Sequence, residues 1–235
     1  MKHELIVALD LPSSDNIPQV IDALPAEITY YKVGLELFAS EGPRALEYLK
    51  KKNKKIFLDL KLHDIPRTVA RAVTAAGRHG VALLTVHAAG GHEMLKAAVQ
   101  SAKDLGESAP VLVAITTLTS LNNDDLKELG IARSLKEHTV ALGQMAISTG
   151  IDGLVCSPHE ISTFRETLGD GPVLVTPGIR PRGADLGDQK RIATPAMAVR
   201  AGANFLVVGR PILQADNPAA VAKEILKEMK EATDH

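Results

Sequence analysis

Short apolar runs rich in Val, Ile and Leu recur along the chain, at positions 5–11, 31–37, 56–62, 82–87, 111–118, 153–157, 173–179 and 205–212. Each is almost continuously hydrophobic rather than alternating, which is the pattern of parallel strands covered on both faces. The segments between them carry a helical period. Val69, Val73 and Ala76 fall at i, i+4 and i+7 and predict one buried helix face. Near the C-terminus Val221, Ile225 and Met229, at i, i+4 and i+8, give a second such face, while Lys223, Glu224, Lys227 and Glu228 take the other side. Pro66, Pro195 and Pro218 stand where helices are expected to begin, positions at which a missing N–H costs least.

Eight strands alternating with helices in 235 residues predict an α/β fold, a single-domain (β/α)8 TIM barrel spanning 1–235. An open doubly wound sheet is the rival, but no Gly-x-Gly-x-x-Gly follows the first strand. No linker or low-complexity tract divides the chain. The looser stretches, 121–132 and 181–192, both follow strand C-termini, the face on which a barrel carries its active site.

Composition narrows the functional classes. The chain has 27 basic and 28 acidic residues, a formal charge of -1, so no cationic surplus suggests binding to nucleic acid. No apolar run approaches the 18 or more residues of a membrane span, and residues 1–4 lead into the first strand without a signal-peptide pattern. One cysteine, Cys156, excludes an intrachain disulfide and a Cys-rich metal site. A cytoplasmic protein is the expectation.

The charges at the strand ends are more informative. Asp10 closes the first run, Lys32 lies in the second, and the third carries Asp59 and Lys61 with Asp64 just beyond. Alternation along a strand points Asp59 and Lys61 to the same side. An ion-pair belt stiffening the rim is the plain structural reading, yet buried ion pairs contribute little net stability. An amine flanked by carboxylates stays an ammonium. Such a group supplies fixed positive charge and a proton for carbon, which suits loss of CO2 followed by protonation of the carbanion, without a metal.

The seventh and eighth runs end in Thr176-Pro177-Gly178-Ile179-Arg180 and Val208-Gly209-Arg210-Pro211. Loops after these two barrel strands commonly bind phosphate through backbone N–H groups and a basic side chain. Gly178 and Gly209 permit close approach, and Arg180 and Arg210 can bind bidentately. The intervening 181–192 stretch, with Gly183, Gly187 and Gln189, could close as a lid.

The sequence resembles the orotidine 5'-phosphate decarboxylase family. The resemblance rests on Asp59-Leu60-Lys61-Leu62-His63-Asp64-Ile65-Pro66 with Thr68, and is supported by Val7-Ala8-Leu9-Asp10, Lys32-Val33-Gly34, Thr117-Leu118-Thr119-Ser120 and the two Gly-Arg strand ends. It extends over essentially the whole chain. Arg67 stands where many members have Asn, outside the signature. The resemblance implies conversion of orotidine 5'-monophosphate to UMP and CO2, the last step of pyrimidine (UMP) biosynthesis, with no cofactor. It implies Lys61 as proton donor to C6, Asp59 against the departing carboxylate, and Lys32 and Asp64 completing an alternating charge chain. Asp10 and Lys32 would address the ribose, Thr119 the pyrimidine, and Arg180, Gln189, Gly209 and Arg210 the phosphate. Asp64 and Thr68 would be lent to a neighbouring subunit, making a homodimer with shared sites. The Asp-x-Lys-x-x-Asp core is shared with metal-dependent sugar-phosphate lyases, a keto-sugar-phosphate decarboxylase or hexulose-phosphate synthase being the alternative. A catalytically silent phosphate-binding barrel is a third reading.

The eight histidines carry no assigned role. His63 and His87 lie near the expected mouth, His92 and His159 near helix starts, and His3, His79, His138 and His235 read as surface. Cys156 reads as a small buried hydrophobe. The five lysines in 50–55 read as a solvated helix end with, at most, a weak pull on an anionic substrate.

Overall fold

The computed structural model describes residues 3–181 and 192–233. Eight strands, β1 (Glu4–Ala8), β2 (Tyr30–Gly34), β3 (Lys55–Leu62), β4 (Leu83–His87), β5 (Val111–Ile115), β6 (Gly153–Val155), β7 (Val173–Thr176) and β8 (Phe205–Val208), close into a barrel in sequence order. Every neighbouring pair is parallel, and β8 returns to β1 through Glu4↔Phe205 to Val7↔Val208. The expected (β/α)8 barrel is the fold observed.

Helices α1 (Ile17–Ala23), α2 (Leu35–Glu41) and α3 (Arg44–Lys51) occupy the first two connections. They are followed by α4 (Pro66–Arg78), α5 (Gly91–Lys103), α6 (Asn123–Glu128), α7 (Leu135–Ser148) and α8 (Ile161–Leu168). The last quarter holds α9 (Pro195–Arg200), α10 (Arg210–Leu213) and α11 (Pro218–Thr233). Pro66, Pro195 and Pro218 each open a helix, as their missing N–H favours. Val69, Val73 and Ala76 form the buried face of α4; in α11 Ile225 and Met229 are buried, and Val221 only partly. The looser stretch 121–132 contains α6, started by a capping box in which Asn122 and Asp125 satisfy each other's backbone amides. No described helix is long and apolar enough to cross a membrane.

The core has two parts because strand side chains alternate. Leu5, Val7 and Leu9 point outward into the layer shared with the helices, together with Val33, Leu58 and Leu84. Ile6, Ala8, Tyr30, Phe57, Leu83, Val113, Val175 and Val207 form a separate buried cluster that fills the barrel interior. Toward the strand C-termini the same inward phase turns polar, through Lys32, Asp59, Lys61 and Thr85. The sequence therefore seals the lower barrel with hydrocarbon and lines only its mouth with charge.

The lysine run at 50–55 leads into the start of β3, the end of the barrel opposite that mouth. Lys52 pairs with Asp22 at 3.1 Å, Lys54 donates to the Ile28 carbonyl at 2.8 Å, and the Lys55 ammonium lies 4.9 Å from the Tyr30 ring centre. These side chains clasp the barrel base, which removes them as a funnel for substrate.

Candidate active site

The site is built outward from Asp59. Its carboxylate, with 15% of the side chain exposed, receives the Lys61 ammonium on Oδ2 at 2.8 Å and lies 3.9 Å from the Lys32 ammonium. Lys32, only 12% exposed, donates to Asp10 Oδ1 at 3.0 Å, and Asp10 itself opens to solvent. Four predicted residues thus form one alternating row, Asp10–Lys32–Asp59–Lys61, across the C-terminal ends of three adjacent strands. Alternation of sign lets each charge offset the desolvation of the next.

Lys61 reaches this position through a local break in the sheet. Leu58 pairs with Leu84 but Leu62 pairs with Val86, so β3 spends two extra residues against β4. Lys61 takes up the slack at φ 52°, a left-handed backbone that costs an ordinary residue about 1 kcal/mol or more. Its amide donates to Thr85 Oγ1 at 2.7 Å, and the Thr85 hydroxyl donates in turn to Asp59 Oδ1 at 3.1 Å. Thr85 is fully buried. Sequence reading passed over it, although a threonine inside Leu83-Leu84-Thr85-Val86 was the available signal.

Above this row lies a cleft lined by Lys61, Ile115, Thr117, Leu118, Thr119 and Pro177, among others. Thr119 is half-buried there, and the Thr117 hydroxyl is tied to Thr139 at 2.8 Å. Cys156, one residue past the end of β6, also reaches this wall; burial pushes its thiol far above the usual range, so it is an inert packing group. His87 stacks on His63 with ring centres 5.1 Å apart, and its Nδ1 accepts from the Ala89 amide. Burial first, then His63 and Lys61, push the His87 imidazole down to about 4. It is neutral at physiological pH. His3, expected on the surface, is instead half-buried and bonded to the Ala203 carbonyl at 2.6 Å.

The anion-binding candidates stand on the β7 and β8 side of the mouth. Gly178 adopts φ 81°, a backbone that only glycine takes without strain, and turns the chain so that the Arg180 amide donates to the Ala193 carbonyl. The Arg180 side chain is buried and donates to the Ile179 carbonyl at 2.9 Å. Gly209 is half-buried beside Asp10, and exposed Arg210 opens α10. Gln189, Gly183 and Gly187 lie outside the described residues, as does His235.

Asp64 and Thr68 are not brought to the row. Both are exposed, Asp64 accepting from the Ile65 amide at 2.7 Å, and among the described residues Asp64 touches neither Lys32 nor Lys61. Between them Ile65 presents its side chain to solvent at 66% exposure. Among the described residues no three His, Cys, Asp or Glu side chains are grouped to hold a metal ion.

Comparison with known proteins places the whole chain. Residues 3–225 match the model of the Orotidine 5'-phosphate decarboxylase / HUMPS family. The chain is 47% identical over 231 residues to orotidine 5'-phosphate decarboxylase of Nostoc sp., covering 96% of this chain and 97% of that one. It is 50% identical over 223 residues to the enzyme of the same name from Anaeromyxobacter sp., covering 95% and 96%. The crystal structure of orotidine 5'-phosphate decarboxylase from Lactobacillus acidophilus superposes with a TM-score of 0.87 at 38% identity, over 97% of this chain and 99% of that one. A family model matched over residues 3–225, relatives about half identical over nearly their whole length and a solved structure of the same fold leave one conclusion: the chain belongs to the orotidine 5'-phosphate decarboxylase family.

Proposed function

We propose that residues 1–235 act as one catalytic barrel domain that converts orotidine 5'-monophosphate to UMP and CO2, without metal or organic cofactor. The observation that carries this reading is the Lys61 ammonium 2.8 Å from Asp59 at the mouth, with Lys32 held between Asp59 and Asp10. The C6–carboxylate bond breaks, its electron pair stays on C6, and the Lys61 proton passes to that carbon. Solvent then reprotonates the neutral amine. No electron sink is available in the substrate's own ring at C6, so the developing carbanion must be met by charge already in place.

Asp59 faces the departing carboxylate in this reading. Asp10 and Lys32 address the ribose hydroxyls, Thr119 the pyrimidine, and Arg180, Gln189, Gly209 and Arg210 the phosphate. Binding energy from the remote phosphate offsets the cost of holding like charges near the carboxylate. Asp64 and Thr68 act in the site of a second subunit. Their exposure, and the lack of an ion pair between Asp64 and Lys32 or Lys61 within one chain, support a homodimer with shared sites. A cytoplasmic location accords with a biosynthetic nucleotide substrate.

The test is to mix the purified protein with orotidine 5'-monophosphate in EDTA and follow the orotate chromophore. Its loss, with stoichiometric UMP, is expected. Turnover abolished by the chelator would overturn the metal-free reading. Tight nucleotide binding without UMP would indicate a silent phosphate-binding barrel.

A further inference from the structure

We infer that Thr85 is a positioning residue for the proton donor: its hydroxyl sets the backbone and the carboxylate that together aim the Lys61 amine. The inference rests on the decarboxylase reading for its kinetic consequence, but its structural content stands on geometry alone.

Two features of the β3–β4 seam require such a group. First, the two extra residues on β3 between Leu58 and Leu62 interrupt the backbone ladder just where Lys61 must be satisfied. The Thr85 hydroxyl oxygen supplies the acceptor, at 2.7 Å from the Lys61 amide. Second, Lys61 sits at φ 52°, where a long side chain stays only if its surroundings hold it there. The hydroxyl bond to its amide is that restraint.

A hydroxyl has one proton and can accept while it donates. Having accepted from the Lys61 amide, Thr85 has its proton free for Asp59 Oδ1 at 3.1 Å. That bond orients the carboxylate and leaves Oδ2 to the Lys61 ammonium at 2.8 Å. One buried oxygen therefore fixes both ends of the donor pair. Thr85 is itself fully buried beneath the row, so it acts through Asp59 and Lys61 and need not touch the substrate. Neither neighbour in β4, Leu84 or Val86, offers a side-chain hydrogen bond to replace it.

The experiment compares Thr85→Ser, Thr85→Ala and Thr85→Val. Serine keeps the oxygen and loses the methyl, alanine loses both, and valine keeps the shape without the oxygen. Thr85→Ser should hold kcat within about threefold of wild type, while Thr85→Ala and Thr85→Val lower kcat by about tenfold or more with KM little changed. Loss of packing alone would affect serine and alanine alike, and if valine does not fold the serine–alanine pair carries the same contrast. Crystal structures of Thr85→Ser and Thr85→Ala supply the second readout: Lys61 should keep its left-handed backbone and its Asp59 contact with serine and lose one or both with alanine. Equal kcat for the serine and alanine variants, or a Lys61 unmoved in Thr85→Ala, overturns the inference. A wild-type protein that does not decarboxylate would sink the functional reading, and the two crystal structures would still decide the positioning.

Discussion

Gly34 and Lys32 approach so closely that a methyl group at position 34 would lie 2.9 Å from the Lys32 ammonium nitrogen. The glycine is there for space, since its φ of -97° is open to any residue. Gly34 ends β2 and caps α2, and its bare Cα lets the lysine fold over it to reach Asp10.

Gly34→Ala should therefore fold normally but displace the Lys32 amine from Asp10 and Asp59. Each charge-assisted hydrogen bond lost is worth about 1.5–3 kcal/mol, so kcat/KM should fall by about ten- to a hundredfold. Steady-state kinetics beside a melting curve check this; wild-type kcat/KM in a folded Gly34→Ala protein would show that Lys32 tolerates the shift.

His87 gives a pH signature in stability. Its folded-state value, about 4, lies below the ordinary imidazole value of 6.5. The unfolded chain then takes up the proton first as pH falls, so stability is full above pH 6.5 and is lost progressively between 6.5 and 4. Denaturant midpoints measured from pH 7 to 5 should decline more steeply for wild type than for His87→Gln. Parallel declines would mean that the imidazole titrates normally in the fold.

The proposed shared site predicts complementation. Lys61→Ala and Asp64→Ala proteins should each be nearly inactive alone. After subunit exchange half the dimers are mixed, and in each of these one site of two regains both groups, so about a quarter of wild-type activity should return. Mixed dimers that form, as shown by a tag on one subunit, without regained activity would place Asp64 outside the partner's site.

Much of this arrangement was legible in the residues, for identifiable reasons. Eight apolar runs gave the barrel because each parallel strand is covered on both faces, and inward alternation placed Asp59 beside Lys61. Strand ends were less legible. The run at 31–37 continues past Gly34 into α2, and that at 205–212 into α10, because Leu37 and Ile212 are buried helix residues that prolong the hydropathy. The left-handed Lys61 and the register shift beside it leave no trace in hydropathy, since they arise from pairing with a distant strand. Thr85 was missed for the same reason: its role exists only once β4 lies against β3. The separation of Asp64 from its own lysines likewise depends on where the chain turns into α4, and not on the three-residue spacing from Lys61.

The central claim is that the amine of Lys61 does the work a metal or coenzyme would otherwise do, and Lys61→Ala tests it most directly. The variant should remain folded and still bind UMP, with turnover of orotidine 5'-monophosphate reduced by at least about a thousandfold, the combined loss of a proton donor and of fixed positive charge. Turnover within tenfold of wild type would contradict the account.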